Sequence, residues 1–190
     1  MGDIRVGPNP AGPSQKIDGV GVGFTRDEDG AIAAATNLIL TLEQAAATDR
    51  VNAVRTYEVL SADASRETLA ADMGATWDAL HGSIATNGPT QSSLFLRTVP
   101  VGHQLLRYSP DRATVEVWTL TVVAAAGMRE PLATWETATI DVVWEDDDWK
   151  VWSAASAAGP SAAWAPTDPS SIDGFLTTVG ELEGYSYVSD

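Results

Sequence analysis

The chain contains no cysteine, which excludes disulfides, thiolate metal sites and cysteine nucleophiles. Basic residues are scarce: 11 Lys and Arg stand against 26 Asp and Glu, a formal net charge of −15. Phosphate binding needs clustered Lys and Arg to release counterions, so nucleic acid is not an expected partner. The same charge disfavours docking on an anionic membrane surface. No apolar run approaches the roughly 18 residues a bilayer-crossing helix needs. The basic, apolar and small-residue sequence of a signal peptide is also missing. The chain is therefore expected in the cytoplasm if Met1 is the native start. If a membrane anchor precedes Met1, it is expected outside the membrane.

What the chain has is an ordered change of pattern along its 190 residues, enough for one domain plus extensions. Gly7, Pro8, Pro10, Gly12, Pro13, Gly19 and Gly21 punctuate the start, so residues 1–23 read as a flexible tether. A domain over 24–158 and a C-terminal loop with a short helix over 159–190 complete the expected organisation. The first helix should open at Asp27 or Asp29, where a carboxylate caps free amides. Ile32, Ala35, Ile39, Leu42 and Ala46 follow at helical spacing, flanked by Ala31, Ala34, Leu38 and Ala45. This broad, small-residue face can lie close against a sheet. Val51, Val54, Tyr57 and Leu60 predict a second helix. Ser65 opens a third with the stripe Leu69, Met73, Trp77 and Leu80, stopped at Gly82.

From Ser92 the apolar period changes to two, predicting strands over 93–108, 113–124, 132–145 and 149–155. Pro100 and Gly102 should bend the first strand. Pro110-Asp111, the loop 127–131 and Asp146-Asp147-Asp148 are the turns, and such short connections make an antiparallel meander. Helices followed by a meander are an α+β fold. Ala138, Ile140, Val142 and Trp144 are expected to face the helices, with Trp118, Leu120 and Val122 from the preceding strand. Thr119, Thr121, Thr137, Thr139 and Trp135 are expected on the other, partner-facing side. Ile172, Phe175, Leu176 and Val179 predict the terminal helix, followed by Tyr185 and Tyr187, and this tail is a second candidate contact surface.

Chemistry is sparse. His81 and His103 lie far apart and match no metal-ligand spacing, and the acidic run at Asp27 fails the calcium-loop pattern, so no metal or cofactor is expected. Glu116 and Glu136 are the carboxylates expected to point inward, with Trp118 and Trp144, if the fold holds a pocket. A loop centred near Gly127 would set the two glutamates roughly 13 Å apart at strand rise, too far for a cooperating acid–base pair. No nucleophile elbow or phosphate loop is present.

Helices preceding a four-strand meander resemble the cone-shaped, cystatin-like superfamily of nuclear transport factor two, ketosteroid isomerase and scytalone dehydratase. The run Gly19-Val20-Gly21-Val22-Gly23-Phe24-Thr25, then Asp29-Gly30-Ala31-Ile32-Ala33-Ala34-Ala35 and Asn37, is similar to an actinobacterial family of membrane-tethered extracytoplasmic proteins found among conjugation genes. The Trp-rich segment from Trp144 to Val151 adds to that resemblance, which spans roughly residues 12–160. It implies a domain like the extracytoplasmic parts of type IV secretion scaffold subunits, which assemble partners without catalysis. The implied partners are proteins of a transfer or secretion apparatus, or a second copy of the chain. The implied contact with a membrane runs through an anchor absent from this sequence. A small apolar ligand or isomerase-like pocket in the same fold is the rival reading. A structural or immunity-type protein of a mobile element shares these sequence features.

Overall fold

The computed structural model describes residues 11–46, 49–86, 94–125, 132–160 and 186–187. Two short strands, β1 (Gln15–Ile17) and β2 (Val20–Val22), form a hairpin. Three helices follow: α1 (Glu28–Ala46), α2 (Arg50–Leu60) and α3 (Arg66–Thr86). The main sheet is built from β3 (Leu94–Ser109), β4 (Arg112–Ala125), β5 (Leu132–Glu145), β6 (Asp148–Ala158) and the short β7 (Ser186–Tyr187). Its spatial order is β6-β5-β4-β3-β7, antiparallel throughout. The fold is α+β, with the helices packed on a four-strand meander, and the strand bounds fall within three residues of those expected.

The starts of α1 and α2 are capped by a nearby carboxylate. At α1, Asp27 Oδ1 accepts the Gly30 amide at 2.8 Å and the Thr25 hydroxyl at 2.7 Å, so Asp27 is the cap. At α2, Asp49 accepts the amides of Val51 and Asn52, both at 3.0 Å. At α3, Ser65 precedes the first turn as expected, but its hydroxyl donates to the carbonyls of Val151 at 2.9 Å and Ala62 at 3.3 Å. That bond ties the α2–α3 corner to β6. The expected stop at Gly82 is not observed, and α3 runs on to Thr86. A glycine inside a helix costs only about 1 kcal/mol against alanine, which continued pairing can absorb.

The expected tether does not end at Gly23. Asp18 and Gly19 adopt positive φ of 50° and 86°, the conformation of a tight hairpin turn. Ala11, Val20, Val22 and Phe24 then join the core. Asn37 on α1 donates to the Gly21 carbonyl at 3.2 Å, and Arg55 on α2 pairs with Asp18 at 3.0 Å. The structured domain therefore begins before residue 24. Residues 1–10, the predicted helix over 172–179, Phe175 and Tyr185 lie outside the described residues. Of Tyr187 only the backbone is described.

The core lies between α1 and one face of the sheet. Ala31, Ala35 and Leu38 from α1 meet Ala113, Val115, Val117, Ile140 and Val142, all at 0% exposure. The alanine rows bring helix and sheet backbones close, leaving room for Ala, Val and Ile beneath. Ala138, Ile140, Val142 and Trp144 face the helices as expected. On β4 the expectation is reversed: Ala113, Val115 and Val117 face the helices, and Trp118 faces away. The register decides this, because Val115 stands opposite Ile140, Val117 opposite Ala138, and Trp118 opposite Thr137. A loop centred near Gly127 would set Leu120 opposite Glu136; Leu120 instead pairs with Trp135, and this one-residue slip exchanges every side chain between faces.

Candidate functional site

Directly opposed residues share a face of a sheet, so the register defines the side turned away from the helices. Starting near the β4–β3 turn, the first row holds Arg107, Thr114, Asp141 and Ser153. The next holds Gln104, Glu116, Thr139 and Ala155, and then come Gly102, Trp118, Thr137 and Ala157. Beyond them stand Val99, Leu120 and Trp135, then Arg97, Val122 and Ala133, and finally Phe95 and Ala124. Polar chemistry thus gives way to aromatic and then apolar chemistry along one face.

At the polar end Asp141 accepts from Thr114 at 2.6 Å, Ser153 at 3.1 Å and Arg112 at 3.3 Å. Partial burial opposes its charged form, but these hydrogen bonds outweigh that and hold the carboxyl below its ordinary range. Arg112 also lies 5.5 Å above the Trp152 ring. Every polar group named there has a partner, so the cluster braces the sheet.

The centre of the face is a pair of indoles. Trp118 and Trp135 stack with ring centroids 4.5 Å apart and planes 20° from parallel. Trp118 is 7% exposed, and its Nε1 donates to the Pro160 carbonyl at 3.0 Å. The Gly159 amide donates to the Trp135 carbonyl at 3.0 Å. The end of β6 thereby turns over this face. Further along the same face, Val99 and Phe95 are 46% and 51% exposed. Trp135, Thr137 and Thr139 come together on this face as expected.

Thr119 and Thr121 do not. Thr119 is 3% exposed on the helix side and donates to the Glu136 carbonyl at 3.2 Å. Thr121 stands opposite Thr98 on the same side, their hydroxyls 3.1 Å apart. Both correct the expected partner-facing set, for the register reason given above. The same slip separates the expected pocket residues. Glu116 lies on the outer face opposite Thr139, whereas Glu136 lies on the inner face opposite Thr119. Trp118 is outside, and Trp144 is inside, edge-on to Trp149 at 5.4 Å with Arg26 5.2 Å above its ring. These four residues cannot line one cavity. A surface hollow of about 480 Å³ lies elsewhere, on α2 among Arg50, Val51, Val54, Arg55 and Glu58.

The two histidines are not brought together. His81 stacks on Trp77 one turn earlier in α3, with centroids 3.9 Å apart. His103 stands opposite Val117 on the inner face. Among the described residues no three His, Asp or Glu side chains are grouped to hold a metal ion. The Nδ1 of His103 is buried and has no hydrogen-bond partner. Burial pushes this imidazole below its ordinary value of 6.5, and nearby Asp29 pulls it partly back. Its folded value is therefore lower than its unfolded one, and the unfolded chain binds more protons in between. Stability is full above pH 6.5 and declines as pH falls through the window below it. The loss should be small, since the ring is only partly buried and solvent screens it. Urea unfolding at several pH values should show the decline in the native chain and a flatter profile in His103→Leu.

A domain profile matches residues 7–177, nearly the full length of the chain. The chain belongs to the family described as Domain of unknown function (DUF8175). The matched span takes in the β1–β2 hairpin, all three helices and the four-strand meander of this DUF8175 domain. No curated protein matches the chain. Among solved structures it is similar to the intermembrane space region of the chloroplast protein ARC6. That likeness has a TM-score of 0.39 at 12% identity, covering 67% of this chain and 97% of the other. Among the described residues no helix is long and apolar enough to cross a membrane.

Proposed function

We propose that this DUF8175 domain is a non-catalytic protein-interaction module of a conjugal transfer or secretion assembly, tethered outside the membrane. Its partners are other proteins of that apparatus. The observation that carries the reading is the outer sheet face, where the Trp118–Trp135 stack shares one side of the sheet with the exposed Val99 and Phe95. Rigid aromatics flanked by apolar side chains are the usual anchors of protein interfaces. The compartment and the apparatus rest on the resemblance carried by Gly19–Thr25, Asp29–Asn37 and Trp144–Val151. The rival reading as a ligand pocket or isomerase draws no support from Glu116 and Glu136, which lie on opposite faces.

The test is co-purification with the products of neighbouring genes, using the native chain and a Trp135→Ser, Val99→Asp variant. The variant should weaken the complex at least about thirtyfold, as loss of a central anchor does, while its far-ultraviolet spectrum is retained. A chain that stays a solitary monomer by light scattering beside those products would sink the proposal.

A further inference from the structure

β3 spans Leu94–Ser109, is paired with β4 along one edge, and lies next to last in the sheet. On its outer edge, among the described residues, Gly102 and His103 pair antiparallel with Tyr187 and Ser186. Two irregularities bracket this place, one between Pro100 and Gly102 and one between Leu105 and Arg107. Bulges and a proline, which has no amide to donate, are devices that stop strands adding to an edge. Between them Gly102–Leu105 is left as regular extended backbone, and that is where a strand has added.

The charges are also unequal. β3 carries Arg97 and Arg107 and no carboxylate, in a chain of net charge −15. The sequence around the added strand, residues 181–190, carries Glu181, Glu183 and Asp190 and no basic residue. A cationic strand edge in an acidic protein selects an acidic strand. Main-chain hydrogen bonds supply the attachment, and opposite charges supply the choice of partner.

We propose that the outer edge of β3 at Gly102–Leu105 is a strand-addition site for an acidic extended segment of a partner protein, which the chain's own Ser186–Tyr187 strand fills until that partner displaces it. Edge strands open locally more easily than the sheet interior, so a competing strand can enter by exchange. This site is an edge and not the outer face, so it stands or falls separately from the aromatic surface.

The test uses the full chain. His103→Cys with Ser186→Cys places the only two cysteines of the protein on directly opposed residues of the two strands. The probe is a fluorescent synthetic peptide with the sequence of residues 181–190, followed by anisotropy. The reduced variant should bind the peptide, the oxidised variant should bind at least about tenfold more weakly, and reductant should restore binding. Raising salt, or exchanging the peptide's three acidic residues for amides, should weaken binding. Failure of the disulfide to form, equal binding to both forms, or equal binding of the amide peptide would each overturn the proposal. Hydrogen exchange on the unmodified chain gives a second reading. Excess acidic peptide should speed exchange at residues 186–187 and leave β4 amides unchanged, and no change at 186–187 would count against the site.

Discussion

Asp148→Ala is expected to lower the unfolding free energy by about 3–5 kcal/mol. Asp148 is 6% exposed, and its Oδ1 accepts the amides of Phe24 and Trp149, both at 3.0 Å. Its Oδ2 lies 3.5 Å from the Lys150 ammonium, which also donates to the Val59 carbonyl at 3.2 Å. One carboxylate thus joins the segment leading into α1, the β5–β6 hairpin and the end of α2. Alanine leaves two buried amides without an acceptor and a largely buried cation without a counter-charge. Asp148→Asn keeps one acceptor oxygen and should cost roughly half as much. Urea denaturation followed by tryptophan fluorescence measures both. An alanine variant within about 1 kcal/mol of the native chain would refute this role.

The second large effect is at Gly30, with an opposite sign at Gly82. Both lie inside helices, where alanine is intrinsically favoured by about 0.5–1 kcal/mol. At Gly82 a Cβ would meet nothing within 4 Å among the described residues, so Gly82→Ala should stabilise by about that amount. At Gly30 a Cβ would overlap the Thr25 carbonyl oxygen and come within 2.8 Å of the Thr25 hydroxyl oxygen. That carbonyl already accepts the Trp149 indole N–H at 2.9 Å, and the hydroxyl donates to the capping Asp27. Gly30→Ala must displace the whole turn, and overpacking plus a weakened cap should cost about 2–4 kcal/mol. Thermal melts of the two variants should move in opposite directions, and a shift of the same sign in both would contradict the packing.

How much of this was legible depends on the range over which each feature is determined. The helix start at Asp27 and the four long strands are written in local sequence, since capping and period-two alternation act within a few residues, whereas Ser65 turns its hydroxyl to the Val151 and Ala62 carbonyls. The β1–β2 hairpin was legible too, because Asp18-Gly19 between two extended triplets is a strong turn signal. The glycines and prolines around it pointed instead to a tether. Burial of Val20 and Val22 depends on α1 lying across them, which no local pattern states.

The candidate site shows the same division. Which residues of β4 share a face followed from alternation, and Trp135 was correctly grouped with Thr137 and Thr139. Which of the two faces of β4 meets the helices did not follow. Trp118 fits an interior as well as Val117 does by hydrophobicity, and only the register against β5, with Val117 opposite Ala138 and Trp118 opposite Thr137, separates them.

The amino-acid sequence by itself determined the α+β class, the order of elements, the acidic surface and the alternation within each strand, because these arise from neighbours along the chain. Tertiary structure alone decided the register across the β4–β5 loop. With it came the pairing of Trp118 with Trp135, the separation of Glu116 from Glu136, and the capture of Ser186–Tyr187 by β3. Register is set by contacts between distant segments, and a shift of one residue leaves every local pattern intact while reversing what is buried.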